Sequence, residues 1–386
     1  MTEWPRITLG DFCTLQRGFD ITKQTQRPGS VPVVSSSGIN SFHDEARADG
    51  PGVVIGRKGS LGSVFLIEGP YWPHDTTLWV KDFKGNDPFF CYLALKCLRL
   101  DDLDVGAANP TLNRNHAHLL PLVVPDVRAQ RRISAALSAF DELIEINERR
   151  IELLEDLARS LYREWFVRFR FPGHQEVKWV DSELGSIPEG WDPRGLFELS
   201  DVGFGYSFKS ARFAEAGPYP VIRIRDLPRG STATFTDEEP PQRYSVHDGD
   251  VLIGMDGEFY VRQWSGGDAW LNQRVARLRP KARMSARQLM LSIAGPVRAL
   301  NESISGTTVA HLGKRHLETI RLLAPTDEVL RQASEFFTTV ECWQVSLRHK
   351  NRRLAATRDL LLPRLVTGQL DISDIDLGDL LPAEAA

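Results

Sequence analysis

The sequence predicts an α+β protein: two similar strand-rich domains separated by two long helices that form an antiparallel coiled coil, with a pseudo-twofold internal repeat. Three observations predict it. A strand entering a glycine turn is written twice, as VVIGRKGSLGSVF at Val53–Phe65 and as VLIGMDGEFYVRQW at Val251–Trp264. The neighbours of that signature repeat in the same order. After each copy comes a long stretch with apolar residues in steps of three and four, the spacing of a helix that packs on another helix.

The repeat can be followed along the chain. Trp4 stands five residues before Leu9, as Trp191 does before Leu196. Polar clusters running into strands follow each glycine turn, HDTTLWVK at His74–Lys81 and LNQRVARL at Leu271–Leu278. Next come NPTLNRNHAHLLPLVVP (Asn109–Pro125) and TTVAHLGKRHLETIRLLAP (Thr307–Pro325), in which Leu112 and Leu312, His116 and His316, and Pro125 and Pro325 are each 200 residues apart. A period this long is a duplication of a whole domain plus a helix, not a solenoid repeat.

Each strand-rich domain alternates short apolar runs with Gly, Pro, Asp and Ser clusters. In the first, strands are expected at Val31–Val34, Val53–Ile55, Val64–Ile67, Thr77–Val80 and Leu119–Val124, with one helix near Pro88–Leu100; the second carries its helix around Ser285–Ile304. The expected segmentation is a first domain at 1–125, a first long helix at 126–170, a linker at 171–184, a second domain at 185–325, a second long helix at 326–370 and an acidic tail at 371–386.

The first helical seam comprises Ile133, Leu137, Phe140, Ile144, Ile151, Leu154 and Leu161, with Asn147 in the gap. The second comprises Phe337, Val340, Leu347, Leu354 and Leu361, with Gln344, Asn351 and Arg358 as polar members. Antiparallel pairing about centres near 149 and 349 sets Asn147 opposite Asn351. A buried amide pair costs stability but penalises slipped registers, where each amide would face Leu or Ile. The alternative is that each amide sits at the edge of the seam in water.

The net charge of −4 comes from 47 Lys and Arg against 51 Asp and Glu. Its distribution matters more than its sum. Five acids and no base follow Leu370, and neither domain is a basic block of the kind that binds any polyanion. Cys13, Cys91, Cys97 and Cys342 show no C-x-x-C spacing, which fits a reduced, cytoplasmic compartment, and no apolar run suggests a signal or a membrane span. Phosphate-cradling, dinucleotide and metal-ligand spacings are absent. Asp256 and Glu258 could ligate a metal, but residues this close on a turn are usually solvated tips. No metal site, cofactor or catalytic residue is expected in this chain.

Taken together, the chain resembles the specificity (S) subunit of Type I restriction–modification systems. SELGSIPEGWDPRGLFEL (Ser182–Leu199) is similar to that family's entry into its second target-recognition domain, and GTTVAHLGKRHLETIRLLAP (Gly306–Pro325) to its exit. AQRRISAALSAFDELIEIN (Ala129–Asn147) and RDLLLPRLVTGQLDIS (Arg358–Ser373) resemble its two conserved helical regions. The helix openings depart from the family's usual Glu-Gln: the first keeps Gln130 alone, and the second has neither. The resemblance implies a non-catalytic ruler. Each domain would read one half of an asymmetric bipartite sequence in double-stranded DNA, and the helices would set the spacing. Two methyltransferase subunits, carrying S-adenosylmethionine, would dock on the helices, and restriction/translocase subunits could join.

Reader candidates are the polar residues flanking the glycine turns and the Thr-bearing segments. In the first domain these are Arg57, Lys58, Ser60, His74, Thr76, Thr77, Asn113 and Arg114; in the second, Arg262, Asn272, Gln273, Arg274, Thr307, Thr308, His311, Lys314 and Arg315. Arg pairs bidentately with guanine, Asn and Gln with adenine, while Lys and Thr more often hold phosphates. Asp75 and Asn272 stand at matching positions before a strand, where turn-capping is the structural alternative. YREWFVRFRF (Tyr162–Phe171) could stack on bases, but packing of the helix end against the second domain is favoured. Two other readings remain: a scaffold that holds proteins rather than DNA, and a divergent nuclease or methyltransferase.

Overall fold

The computed structural model describes residues 4–98, 100, 111–281, 283–304 and 311–372. Thr307, Thr308 and most of the acidic tail lie outside them. The chain divides into two compact units: one takes the chain up to Glu145 together with the chain from Asn351, and the other is Ile146–Lys350. The boundary between the units falls midway along both long helices, and each half-helix buries apolar residues with one strand-rich domain.

In the first unit a four-stranded antiparallel sheet runs in the order Thr14–Arg17, Thr77–Asp82, Gly52–Gly56, Val64–Ile67. Its interior strand Gly52–Gly56 is covered on both faces, which is why its sequence is a continuous apolar run rather than an alternation. Val53 and Ile55 join a core with Leu9, Phe12, Phe90 and Leu95, while Val54 faces Val34, Ile67 and Tyr71. A second sheet pairs Gly38–His43 with Val31–Ser35 and the latter, in parallel, with Trp72–Pro73. Arg6–Thr8 pairs with Pro121–Val123 and so closes the domain on itself.

The helix Pro88–Cys97 starts where Asp87 accepts the Phe90 amide at 2.8 Å and Pro88 fills the first turn. The first long helix, Val127–Tyr162, is anchored beside it. Gln130, fully buried, accepts the Asp87 amide at 2.9 Å and donates to Asn86 Oδ1 at 2.8 Å and to the Pro125 carbonyl at 2.9 Å. Ser134 donates to Asp87 Oδ1 at 2.6 Å. The lone Gln of the helix opening is therefore a latch that engages three polar groups at once, the Pro125 carbonyl among them buried. Ile133, Leu137, Leu365 and Val366 complete this core, so the start of the first helix and the end of the second share one domain. The second helix stops at Gly368, whose φ of +74° other residues resist and which lies against the Trp4 ring.

The second unit repeats the plan. Its four-stranded sheet runs Ser200–Phe204, Val275–Pro280, Val251–Gly254, Val261–Gln263, and Asp192–Gly195 pairs with Arg321–Ala324. The parallel pair is Tyr219–Ile222 with Ala269–Leu271. Ser285 takes the capping place of Asp87, accepting the Gln288 amide at 3.1 Å at the start of the helix Ala286–Ile304. Here the buried Gln comes from the domain: Ser334 of the second long helix, Asp327–Val366, faces Gln288 at 3.4 Å. Leu330 stands where the first helix has Gln130, which accounts for the missing Gln of the second helix opening.

The two long helices pack antiparallel. In the first unit Arg358 pairs with Asp141, and Asn351 donates Nδ2 to the Ile144 carbonyl at 3.1 Å; in the second, buried Gln344 donates to the Ile151 carbonyl at 3.0 Å. Asn351 and Gln344 thus reach main-chain carbonyls of the facing helix, and Arg358 a carboxylate. Ile133, Leu137, Phe337, Val340 and Asn147 are buried, and Phe140, Ile144, Ile151, Leu154, Leu161, Leu347, Asn351, Leu354 and Leu361 are half-buried. Beyond Tyr162 a π-helical turn, Arg163–Val167, swings the aromatic run inward. Phe166, Phe169 and Phe171 ring Trp191 at centroid distances of 5.7, 5.4 and 5.3 Å, with Phe337 in the same cluster. These rings pack the helix end onto the second domain, leaving none of the three free to stack on a base.

Candidate nucleic-acid interface

In each domain the glycine turn, the polar cluster and the chain leading to the closing strand meet at one place. In the first domain the amides of Arg57 and Lys58 both donate to the Thr76 carbonyl, at 2.9 and 3.1 Å, and the Leu112 amide donates to the Arg57 carbonyl at 2.9 Å. Lys58 bridges Thr111, and Phe19 bridges His74. In the second domain the Met255 amide donates to the Arg274 carbonyl at 3.0 Å and the Leu312 amide to the Met255 carbonyl at 2.7 Å; Asp256 bridges His311, and Tyr206 bridges Asn272. The backbone geometry is the same twice, with different side chains on it.

His74, not Asp75, is therefore the structural counterpart of Asn272. Their main chains are approached so closely that a Cβ on Gly18 would lie 2.1 Å from the His74 carbonyl oxygen, and one on Gly205 2.0 Å from that of Asn272. Only glycine fits there. The paired Gly-aromatic dipeptides, Gly18-Phe19 and Gly205-Tyr206, belong to the site and were not singled out from the sequence. They were a readable signal, since both copies carry them.

The first-domain cluster is held by its own side chains. His74 joins Thr76 Oγ1 at 3.0 Å and the Ile21 carbonyl at 3.3 Å, and Arg17, another residue not anticipated, pairs with Asp75 at 2.7 Å. Asp20, His74 and Asp75 lie close enough to suggest a ligand set, but these hydrogen bonds and the Arg17 pair engage His74 and Asp75. Thr77 is fully buried and donates to the His74 carbonyl at 2.7 Å, so it shapes the turn. Asn113 caps the short helix Arg114–His118, accepting the Asn115 amide at 2.9 Å. Arg57, Lys58, Ser60, Thr76 and Arg114 keep side chains accessible around the turn. Partial burial and the neighbouring Arg17 charge push the Arg57 guanidinium below its usual pKa. Among the described residues this guanidinium makes one long hydrogen bond, 3.5 Å to the Asp75 carbonyl.

In the second domain Asp256 gathers Arg274 at 3.4 Å and His311 at 2.6 Å. Asn272 is buried and accepts the Arg274 amide at 3.4 Å, the turn-capping role anticipated as its alternative. Gln273 and Arg274 are exposed beside it, as are His311, Lys314 and Arg315, except that Lys314 also pairs with Glu318 at 3.6 Å. Arg262 is placed elsewhere: its guanidinium donates to the carbonyls of Leu227 at 3.1 Å and Pro228 at 2.5 Å, in a cleft lined by the helices. Its strand, Val261–Gln263, turns that side chain away from the glycine turn.

The chain matches a family model described as the Type I restriction modification DNA specificity domain, over residues 1–156 and 188–354. The chain belongs to that family. The EcoBI specificity subunit of Escherichia coli is 30% identical over 199 residues, 50% of this chain and 42% of that protein. The MjaVIII specificity subunit of Methanocaldococcus jannaschii is 22% identical over 342 residues, 84% of this chain and 77% of that protein. The alignment thus spans less than half the length of the EcoBI subunit. Among solved structures, the S subunit of a Type I restriction–modification system from M. genitalium shares the fold, with a TM-score of 0.59 at 18% identity, covering 94% of this chain and 96% of that one. Family membership makes the chain a specificity component rather than a catalytic one. Among the described residues, no helix is long and apolar enough to cross a membrane.

Proposed function

We propose that the chain reads DNA for a Type I restriction–modification complex, each domain recognising one half of an asymmetric bipartite sequence. The observation that carries this reading is the pair of equivalent turns bearing unlike side chains: Arg57, Lys58, His74 and Thr76 in one, Met255, Asp256, Asn272 and Arg274 in the other. A common scaffold with different donors and acceptors suits two different half-sites. Domains at 1–125 and 185–325 would be the two target-recognition domains, and the helices between them would convert their length into half-site spacing.

The helices also offer a docking face for methyltransferase subunits. Between them in the second unit lies a groove of about 570 Å³ lined by Arg150, Leu153, Leu157, Trp343, Leu347 and Lys350. Leu153, Leu157 and Trp343 are each more than half exposed, which is unusual for a coiled-coil flank and common at a partner interface. S-adenosylmethionine would be held by those partners, and restriction/translocase subunits would join the same assembly. The test is single-molecule methylome sequencing of the native host beside a deletion of this gene. Loss of methyladenine at one asymmetric split motif is the expected result. An unchanged methylome, in a host whose methyltransferase is expressed, overturns the reading in favour of a protein scaffold.

A further inference from the structure

The second unit contains a cleft that the DNA-reading role leaves unused. It has a volume of about 830 Å³ and opens between the end of the first long helix, the helix Ala286–Ile304, the strand Val261–Gln263 and the second long helix. Seven arginines line it. Two are paired on their own helical turn, Arg159 with Glu155 at 2.6 Å and Arg168 with Glu164 at 2.5 Å. The other five are Arg163, Arg262, Arg287, Arg298 and Arg348. Among the described residues, Glu341 acts on Arg287 and Asp248 on Arg348, so the arginines of the cleft outnumber the acids around it. Glu258 is engaged with the Tyr260 hydroxyl instead.

The cluster is built rather than incidental. Arg287 is only 3% exposed; it donates to Gln344, and its Nε–H, also buried, has no acceptor among the described residues. A guanidinium is rarely left this way unless a further acceptor completes it. Arg262 is fixed by two backbone carbonyls and packed against Gly230, where a Cβ would lie 2.6 Å from its Nη2. Burial, and the neighbouring Arg262 and Arg287, depress the pKa of Arg348. Like charges held together at this cost are a preformed site for a multivalent anion.

We propose that this cleft binds a small phosphate-bearing molecule of the nucleoside polyphosphate class. Its volume lies within the roughly 300–1,000 Å³ range of small-molecule sites. Leu227, Pro228, Tyr260, Met290 and Ala294 give it an apolar wall beside the arginines, suited to a base beside a phosphate chain. The recessed Arg287 favours a small ligand, because the phosphates of a duplex lie on a convex surface that does not enter a cleft.

The experiment is calorimetric titration of the full chain with inorganic pyrophosphate and with ATP at low salt. One saturable site is expected for each. Arg298→Gln and Arg163→Gln, both at exposed positions, should weaken both ligands about tenfold each, as loss of a charge-assisted hydrogen bond does, with unchanged melting temperature. Tyr260→Ala should weaken ATP but not pyrophosphate. Absence of saturable pyrophosphate binding, or binding indifferent to both arginine variants, overturns the proposal. So does displacement of pyrophosphate by a non-cognate duplex whose own affinity falls in the same variants, since the phosphates would then be those of DNA.

Discussion

Removing the Arg57 guanidinium should damage the reading of one half-site and leave the other intact. The structure sets the scale. Arg57 is half-buried, its charge already partly desolvated by burial and crowded by Arg17, and its guanidinium's one hydrogen bond among the described residues is a long one, 3.5 Å to the Asp75 carbonyl. Arg57→Ala therefore loses little fold stability, while a bidentate pair with a base edge is worth about 1–3 kcal/mol of discrimination, roughly 5- to 150-fold. The assay is methylation by the assembled methyltransferase complex on duplexes randomised in one half-site at a time. Discrimination should fall by that factor at one or two positions of a single half, with the other half read as before. Arg274→Ala should produce the mirror result in the opposite half, made smaller if its exposed pair with Asp256 also holds the loop. If Arg57→Ala lowered affinity equally for every sequence and reduced the slope of affinity against salt by about one ion, the residue would be a phosphate contact. The assignment to base reading would then be wrong.

Three further outcomes are expected. Gly18→Ala and Gly205→Ala each force a methyl group onto a backbone oxygen 2.1 or 2.0 Å away, so each should destabilise its own domain by about 1–3 kcal/mol or more in thermal melts, and an unchanged melt would refute the close approach. His118 accepts the Leu15 amide at 3.0 Å through Nε2, and burial, then Arg114 and Lys84, lower its pKa from 6.5; the unfolded chain is protonated first, so stability should decline as pH falls below about 6.5 and be indifferent above, with the decline reduced in His118→Gln. Trp343→Glu, or maleimide labelling of exposed Cys342 beside it, should weaken association with methyltransferase at least about tenfold, as loss of an interface aromatic does, without changing the melting temperature; normal co-purification would move the docking face elsewhere.

Much of this architecture was legible because it is periodic. The seam from Ile133 to Leu161 and its partner from Phe337 to Leu361 announce themselves by spacing, and the buried strand Gly52–Gly56 by its unbroken apolar run. Division of each long helix between two compact units was not legible, since a heptad seam looks uniform whichever domain covers it. The candidate residues of each domain group by sequence around a turn, and the structure separates them by where their side chains go. Asn272 and Asn113 look like readers by type, but their side chains serve local backbone amides, and Thr77 is buried under the turn. Arg262 neighbours the glycine turn in sequence but lies in the cleft: a strand alternates its side chains between faces, and one position decides which surface a guanidinium meets. Pairing His74 rather than Asp75 with Asn272 likewise required the bridges to Phe19 and Tyr206.

On the proposed DNA-reading role, the same two turns would leave the chain free to change specificity through their side chains. Key backbone contacts recur at the two turns, the Arg57 and Met255 amides on the Thr76 and Arg274 carbonyls and the Leu112 and Leu312 closures, and substitutions at Gly18 or Gly205 would disturb this frame. The side chains carried on that frame invert in character: Lys58 facing Thr111 in one copy, Asp256 facing His311 in the other. If the turn faces DNA as proposed, an acid there would repel the duplex unless neutralised, and Asp256 is held by both Arg274 and His311. The second turn can then present the guanidinium and imidazole edges that Asp256 orients, where the first presents cations directly. Selection for a new half-site can exchange these side chains without touching the frame, provided that any acid introduced arrives with its partners. By this argument the three second-domain residues form one unit, so Asp256→Ala should reduce reading of that half-site about as much as Arg274→Ala, and the double variant little further. Additive losses in the double variant, measured on the same half-randomised duplexes, would show that the two act separately.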